Sequence, residues 1–245
     1  MIGTPCYDGR IDVWYCHSLV NTIKLGFEKN VEIIPIWVSF DALIQRARND
    51  TVQIAIEGGY DDLVWIDSDI EWTPEWFFKL LDYDHDVVGG TYRKKGDKEE
   101  YVFRSKENAK IDPQTGLLEV TGLGTGFVKM SKKALHYLWE TSPKYIDSKD
   151  DKERRMIFDV ILKEQDMVSE DIAAFFKLID GGFKIWLDTT MTCNHIGPYK
   201  FTGDFIPWAK KGMIRNEIAG PPAVQNNSIQ KENKYKIPIL AKRQL

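Results

Sequence analysis

Residues 62–72, DLVWIDSDIEW, decide the fold. Leu63, Val64, Trp65 and Ile66 are successive apolar positions with no polar alternation. A strand with one wet face alternates, so an unbroken apolar run marks a strand covered on both sides, as in a parallel sheet between helix layers. Asp67, Ser68 and Asp69 end that run at the sheet edge where open α/β folds bind ligands. In extended chain, residues two apart point the same way, so both carboxylates are expected to face one cation. Oxygen donors of this kind favour Mg²⁺, Mn²⁺ or Ca²⁺. The competing reading makes Asp67 the start of a turn and Asp69 a helix cap. DYDHD at 82–86 repeats the spacing with Asp82, Asp84 and Asp86, but between an amphipathic helix and the next strand, where polar turn residues need no further role.

Outward from this strand the chain alternates. MIGTPCYD reads as a short strand breaking at Pro5, and a stretch with apolar residues at helical spacing follows over 10–30. VEIIPIWVS (31–39) is a second strand, and 41–59 a helix closed by Gly58 and Gly59. Thr73 and Pro74 open another helix as N-cap and first residue. DVVGGTYRKK (86–95) is a strand, and 116–140 gives a strand, a glycine-rich turn, a strand and a helix. Ser169 is expected to cap a helix that stops at Gly181 and Gly182, with two short strands beyond. This order predicts an α/β fold with a mostly parallel central sheet flanked by helices and a mixed C-terminal half. Residues 142–168 carry a dense charge run suited to a solvated loop. From Gly212 the chain turns to Pro, Asn and Gln, with six Lys and Arg against two Glu, so the expected division is a domain over 1–211 and a flexible or peripherally packed tail over 212–245.

The 245 residues are enough for one main domain with a sizeable core. Lys and Arg number 33 against 37 Asp and Glu, a net charge of −4, which leaves no global basic footprint and disfavours a nucleic-acid acceptor. Cys6, Cys16 and Cys193 form an odd set with no disulfide spacing, which points to a reducing compartment. Together with His195 they match no common zinc pattern. There is no signal-peptide pattern and no window approaching about 18 apolar residues, so a cytoplasmic protein without a membrane span is expected.

Three further clusters carry candidate chemistry. Glu170 and Asp171 fall in the first turn of a helix, where they suit the dipole or supply a general base. His195, in MTCNHIGPYKF, is either structural or completes a metal site beside the Asp pair. TGLGTGF (121–127) lacks the dinucleotide fingerprint, and its glycines instead allow close approach of backbone to a sugar or acceptor.

Taken in order, GTPCYD, LIQRARN, WIDSDIEW, VVGGTYRKK, GLGTGF, SED and CNHIGPY resemble a GT-A-fold (Rossmann-like) glycosyltransferase over residues 1–205. The resemblance is to compact viral and bacterial members related to the large inverting family that includes cellulose and chitin synthases. It implies a nucleoside-diphosphate sugar donor, a divalent metal (Mn²⁺ or Mg²⁺), and a glycan, glycoprotein or glycolipid acceptor. Thr4, Pro5, Cys6, Tyr7 and Asp8 match the cradle for base and ribose. Arg46 matches a basic side chain approaching the nucleotide, and Ser68 goes with the donor contacts. Asp67 and Asp69 match the Asp-x-Asp metal motif, and His195 a further metal or diphosphate contact. Gly124, Thr125 and Gly126 match the cleft floor, Arg93 and Lys94 diphosphate or donor contacts, and Asp171 the base with Glu170 in reserve. The chain lacks the synthases' membrane helices and C-terminal Gln-rich motif, so transfer of a single sugar, with inversion, is the implied reaction.

Three other readings share part of this pattern. A nucleotidyltransferase would want a basic glycine-rich signature near the first strand, for which GTPCYDGR is a poor match. A non-catalytic carbohydrate- or nucleotide-binding module would not need Asp67, Asp69 and Asp171 together. A glycoside hydrolase uses paired carboxylates but needs neither nucleotide nor metal.

Overall fold

The computed structural model describes residues 1–148 and 150–218. In chain order the elements are β1 (Ile2–Cys6), α1 (Val13–Lys29), β2 (Pro35–Ser39), α2 (Ile44–Gly58), β3 (Asp62–Ile66), β4 (Ile70–Glu71), α3 (Pro74–Asp82) and β5 (Val87–Tyr92). There follow β6 (Phe103–Ser105), β7 (Leu117–Leu123), β8 (Phe127–Ser131), α4 (Lys132–Thr141), β9 (Lys144–Asp147), β10 (Lys152–Arg155), β11 (Ile161–Lys163) and β12 (Asp166–Val168). The last are α5 (Glu170–Asp180), β13 (Ile185–Ile196), β14 (Lys200–Phe201) and α6 (Phe205–Ile218).

β3 lies inside the sheet, as its apolar run requires. Its side chains alternate between two cores. Leu63 and Trp65 join Val52 and Ala55 of α2, Leu135 of α4, and Phe175 and Leu178 of α5. Val64 and Ile66 join Tyr15 and Leu19 of α1 and Phe77 and Leu80 of α3. Each of the four β3 side chains is fully buried, worth roughly 1.5–3 kcal/mol apiece against exposure. Local signals set the flanking helices. Asp12 caps α1 by accepting from the Trp14 amide at 2.8 Å, and Asn30 ends that helix at φ 55. Thr73 stands at the N-cap position of α3 without a side-chain bond, so Pro74 supplies the start there.

The sheet order is β2-β1-β3-β8-β5-β13-β7-β6. β1 is parallel to β2 and β3, and β13 to β5. The mixed portion begins at the centre, because β8 runs antiparallel between β3 and β5. β7 and β8 are joined only by Gly124, Thr125 and Gly126, yet β5 and β13 lie between them in the sheet. That short linker carries the chain from the end of β7, which runs antiparallel to β13, to the start of β8 beside the carboxyl half of β5.

Two expectations need correction. Residues 142–168 are not a plain solvated loop, since they form the antiparallel pairs β9–β10 and β11–β12 and insert Ile157 and Phe158, both fully buried, into the α5 side of the core. Charged residues that suggested a loop, such as Lys152, Glu153, Lys163 and Glu164, are exposed on these hairpins, whereas Asp147 is buried and Arg154 pairs with Asp50 at 2.9 Å. The two short strands expected after α5 are one strand, β13, whose pairing with β5 shifts register between Leu187 and Thr192.

Met1–Ala209 forms one compact unit. Of the second, Lys210–Leu245, only the end of α6 is described, so the tail expected over 212–245 lies from residue 219 onward outside the described residues. Among the described residues no helix is long and apolar enough to cross a membrane.

Candidate active site

After Ile66 the chain turns. The Ile70 amide bonds the Asp67 carbonyl at 3.1 Å, and the Asp12 amide bonds the Ser68 carbonyl at 2.9 Å. The far end of β13 reaches the turn through antiparallel pairing with β4, which sets His195 opposite Ile70. The Ile196 amide then donates to the Asp69 carbonyl at 2.8 Å. Because 67–70 is a turn and not extended chain, Asp67 and Asp69 do not share a partner, contrary to the two-residue alternation expected of a strand. Asp69 caps no helix.

Asp67 faces Arg48 of α2, whose Nη2 lies 3.1 Å from Oδ1, while the same guanidinium donates from Nε to Glu170 Oε1 at 3.4 Å. Arg48 is 5% exposed and lies over the Trp65 ring. Burial works to lower its pKa, but Asp67, then Glu170 and Asp171, hold it above the ordinary value, so it stays charged. Its Nη1 is buried with no protein partner. Arg46 points elsewhere, forming a two-pronged pair with Asp41 at 2.6 and 2.7 Å. Residues two apart on a helix diverge by about 200°, so only one of these arginines can reach Asp67. Arg48 shares its face with the buried Thr51, Val52 and Ala55, a signal readable in the sequence that marks it as the inward one.

Asp69 Oδ2 is paired with the Lys95 ammonium and lies 3.6 Å from His195 Nε2. Burial works to raise the Asp69 carboxyl, but the His195 ring and Lys95 hold it below the usual value. His195 Nδ1 stands 2.9 Å from the Arg93 carbonyl, which can only accept, so Nδ1 carries the proton and the lone pair of a neutral ring is on Nε2.

Tyr92, at the end of β5, joins the two halves. Its ring packs edge-on against His195 at 5.0 Å, and its hydroxyl accepts from the Gly126 amide at 3.2 Å. Burial, then the negative charges of Asp67 and Asp171, hold the phenol well above its ordinary pKa. A Cβ at Gly124 would collide with the Tyr92 hydroxyl, and one at Gly126 would come within 2.6 Å of the ring. The glycines thus make room for Tyr92 beneath the crossing linker. Thr125 between them is buried, and its hydroxyl has no protein partner. Arg48, Tyr92 and Lys95 were not singled out by the motif reading. Lys95 differs from Arg93 and Lys94 by nothing in the sequence.

At the start of α5, Ser169 holds the N-cap position, but its hydroxyl donates to Asp171 Oδ1 instead of capping the helix. The Ile172 amide also donates to that oxygen at 2.8 Å.

At the ends of β1 and β2, Pro5, Cys6 and Tyr7 line a recess of about 220 Å³ with Val38, Asp41, Ala42, Ile44 and Ala47. Thr4 is fully buried and its hydroxyl bonds that of Tyr15 at 2.7 Å, behind this recess. Asp8 is exposed and loosely paired with Arg10 at 3.9 Å. The Arg93 guanidinium donates to the carbonyls of Gly96 and Asp97 at 3.2 and 3.1 Å, and Lys94 pairs with Glu100 at 3.2 Å.

Among the described residues no group of three or more His, Cys, Asp or Glu is gathered to hold an ion. The donor chemistry fits a divalent cation nonetheless. Asp69 offers a carboxylate and His195 an imidazole lone pair, a set suited to Mn²⁺, and such ions take their remaining ligands from phosphates and water.

The fold is shared with A197 from STIV, at a TM-score of 0.53 and 18% identity over 80% of this chain and 84% of that one. GalNAc-T7, solved with UDP, GalNAc and Mn²⁺, overlays at a TM-score of 0.42 and 14% identity over 76% of this chain and 35% of that one. A glycosyltransferase involved in glycosylation of the major capsid of PBCV-1 overlays at 0.30 and 13% identity, over 55% of this chain and 61% of that one. No protein-family model matches the chain, and no curated protein matches it. The α/β architecture anticipated from the sequence, a large central sheet flanked by helices, is the one observed, with parallel and antiparallel strands mixed within it.

Proposed function

We propose that the chain transfers a single sugar from a nucleoside-diphosphate sugar to a hydroxyl of a glycan, glycoprotein or glycolipid. The observation that carries this reading is the convergence of Asp67, Asp69, Glu170 and Asp171 around Arg48, Tyr92 and His195 at the carboxyl edge of the sheet. A carboxylate cluster in excess over its cations, at the edge of the sheet, suits a divalent cation, through which an anionic substrate is held.

In this reading Pro5, Cys6 and Tyr7 bound the base. Asp8 follows on the same loop towards the ribose, and Ser68 stands beside Cys6. Arg46 fixes Asp41 at the rim of the recess. Arg48 and Lys95, paired with Asp67 and Asp69, are the cations at the site for the diphosphate, with the half-exposed Lys94 their neighbour, while Arg93 orients His195 through its carbonyl. Gly124, Thr125 and Gly126 floor the cleft. Asp69 and His195, with Asp67 beside them, would hold Mn²⁺ or Mg²⁺, which when bound supplies Lewis-acid stabilisation to the departing diphosphate.

Asp171 is the general base. Its two hydrogen bonds both fall on Oδ1, leaving Oδ2 to take the acceptor proton. Glu170 is engaged by Arg48, which already occupies its Oε1. As the acceptor oxygen bonds to the anomeric carbon, the bond to the β-phosphate oxygen breaks and its electron pair leaves with the nucleoside diphosphate. One displacement with no protein nucleophile inverts the anomeric centre.

The test is a panel of nucleotide sugars with Mn²⁺, following nucleoside diphosphate release. Turnover is expected with at least one donor, falling by about 10²–10⁴ in Asp171→Asn. Release of pyrophosphate would assign a nucleotidyltransferase instead, and no turnover or binding with any donor would sink the proposal.

A further inference from the structure

We propose that Lys95 is a resident counter-ion that occupies Asp69 until a metal-bearing diphosphate displaces it, so that ion and donor enter together. The inference rests on the donor-site reading above and adds to it a residue, and an order of binding, that the motifs did not suggest.

Two basic side chains neutralise the paired aspartates, and they differ in freedom. Arg48 is walled in, with its side chain 6% exposed and shared between Asp67 and Glu170. Lys95 has a side chain 36% exposed and, among the described residues, pairs with Asp69 alone, through the oxygen that also faces His195 Nε2. The stem of Lys95 runs past Gly197, where an added Cβ would lie 3.3 Å from its Cδ. The loop end is thus bare where the lysine passes. Lys95 can swing outward, whereas moving Arg48 would strip two carboxylates of their partner.

The charges then couple the two ligands. Among the described residues Asp67, Asp69, Glu170 and Asp171 face the two fixed cations Arg48 and Lys95, with the His195 ring beside Asp69, and with that ring neutral the excess of two negative charges repels a bare diphosphate. A divalent ion arriving alone must break the Lys95–Asp69 pair and leave the ammonium without an anion. An ion arriving with a diphosphate brings that anion with it, so the displaced Lys95 exchanges a carboxylate for a phosphate. Both contacts are charge-assisted, and the exchange keeps Lys95 paired throughout.

The experiment is titration of Mn²⁺, followed by the resonance signal of the free ion, alone and with each of the four common nucleoside diphosphates. It is run on the full chain and on Lys95→Met and Lys95→Arg, with thermal melts to establish that each variant is folded and Lys95→Gln as substitute if the methionine variant is not. Lys95→Met is expected to bind Mn²⁺ alone about fivefold or more tightly than the unaltered chain, and to lose most of the nucleotide's enhancement of Mn²⁺ binding. Lys95→Arg should behave as the unaltered chain. Equal Mn²⁺ affinity in the unaltered chain and Lys95→Met, with Mn²⁺ and nucleotide still binding together, overturns the role of Lys95 and leaves the donor site standing. No Mn²⁺ binding by any protein with any nucleotide overturns both.

Discussion

At the scale of the residue, exposure decides which ion pairs matter. Arg48 and Lys94 are both basic, both near the candidate site, and both paired with a carboxylate. Lys94 and Glu100 are more than half exposed, and such a pair contributes at most about 1 kcal/mol. Arg48 is buried between Asp67 and Glu170, and removing one member of a buried arrangement leaves uncompensated charge at a cost of about 3–5 kcal/mol. Arg48→Met is therefore expected to lower unfolding free energy by that amount in urea titrations, while Lys94→Met stays within about 0.5 kcal/mol of the unaltered chain. Similar small losses in both variants would mean that water already reaches Asp67 and Glu170. Lysine should not rescue position 48, because a single ammonium cannot span two carboxylates as a guanidinium fork does.

At the scale of the element, the β7–β8 linker is the most constrained segment near the site. Three residues carry the chain across β5 and β13, and the space beneath is filled by Tyr92, whose ring in turn packs against His195. Gly126→Ala would force Tyr92 or the linker to shift, and overpacking of this kind costs about 1–3 kcal/mol. Gly96→Ala, at a position with nothing within 4 Å of the new methyl, serves as the control and is expected to be neutral. Chemical denaturation measures both, and a neutral Gly126→Ala would show that Tyr92 is not held as described. The sequence made this glycine pattern visible but not its reason, since Tyr92 lies far from it along the chain. What was legible followed period and punctuation: β3 from its unbroken apolar run, and α2 from its closing glycines. What was hidden depended on tertiary partners. Ile157 and Phe158 sit in a short apolar patch, MIFDVIL, amid a charge run that reads as a loop, yet they are anchored by Asn49, whose side-chain oxygen accepts from both amides at 3.1 and 2.8 Å. Likewise the place of Asp67 and Asp69 at the end of β3 was legible, but not their separate partners, because no local spacing distinguishes a strand end from the turn that follows it.

At the scale of the molecule, β3 ties two helix layers into one thermodynamic object. Its odd-numbered side chains Leu63 and Trp65 complete the core under α2, α4 and α5, and its even-numbered Val64 and Ile66 complete the core under α1 and α3. Neither layer can open without wetting one face of the strand that the other layer needs. Chains of this length often populate intermediates, but a shared central strand removes the obvious place to divide. Amide hydrogen exchange under increasing denaturant is therefore expected to bring α1 and α5 to a common opening free energy. The sharper form of the test perturbs one side only. Phe175 is fully buried in the α5 layer, and Phe175→Ala should cost about 3–5 kcal/mol. If the layers are coupled through β3, protection of the α1 amides falls by the same amount as that of α5. If α1 keeps its protection while α5 loses its own, the layers unfold separately and β3 does not bind them into one unit.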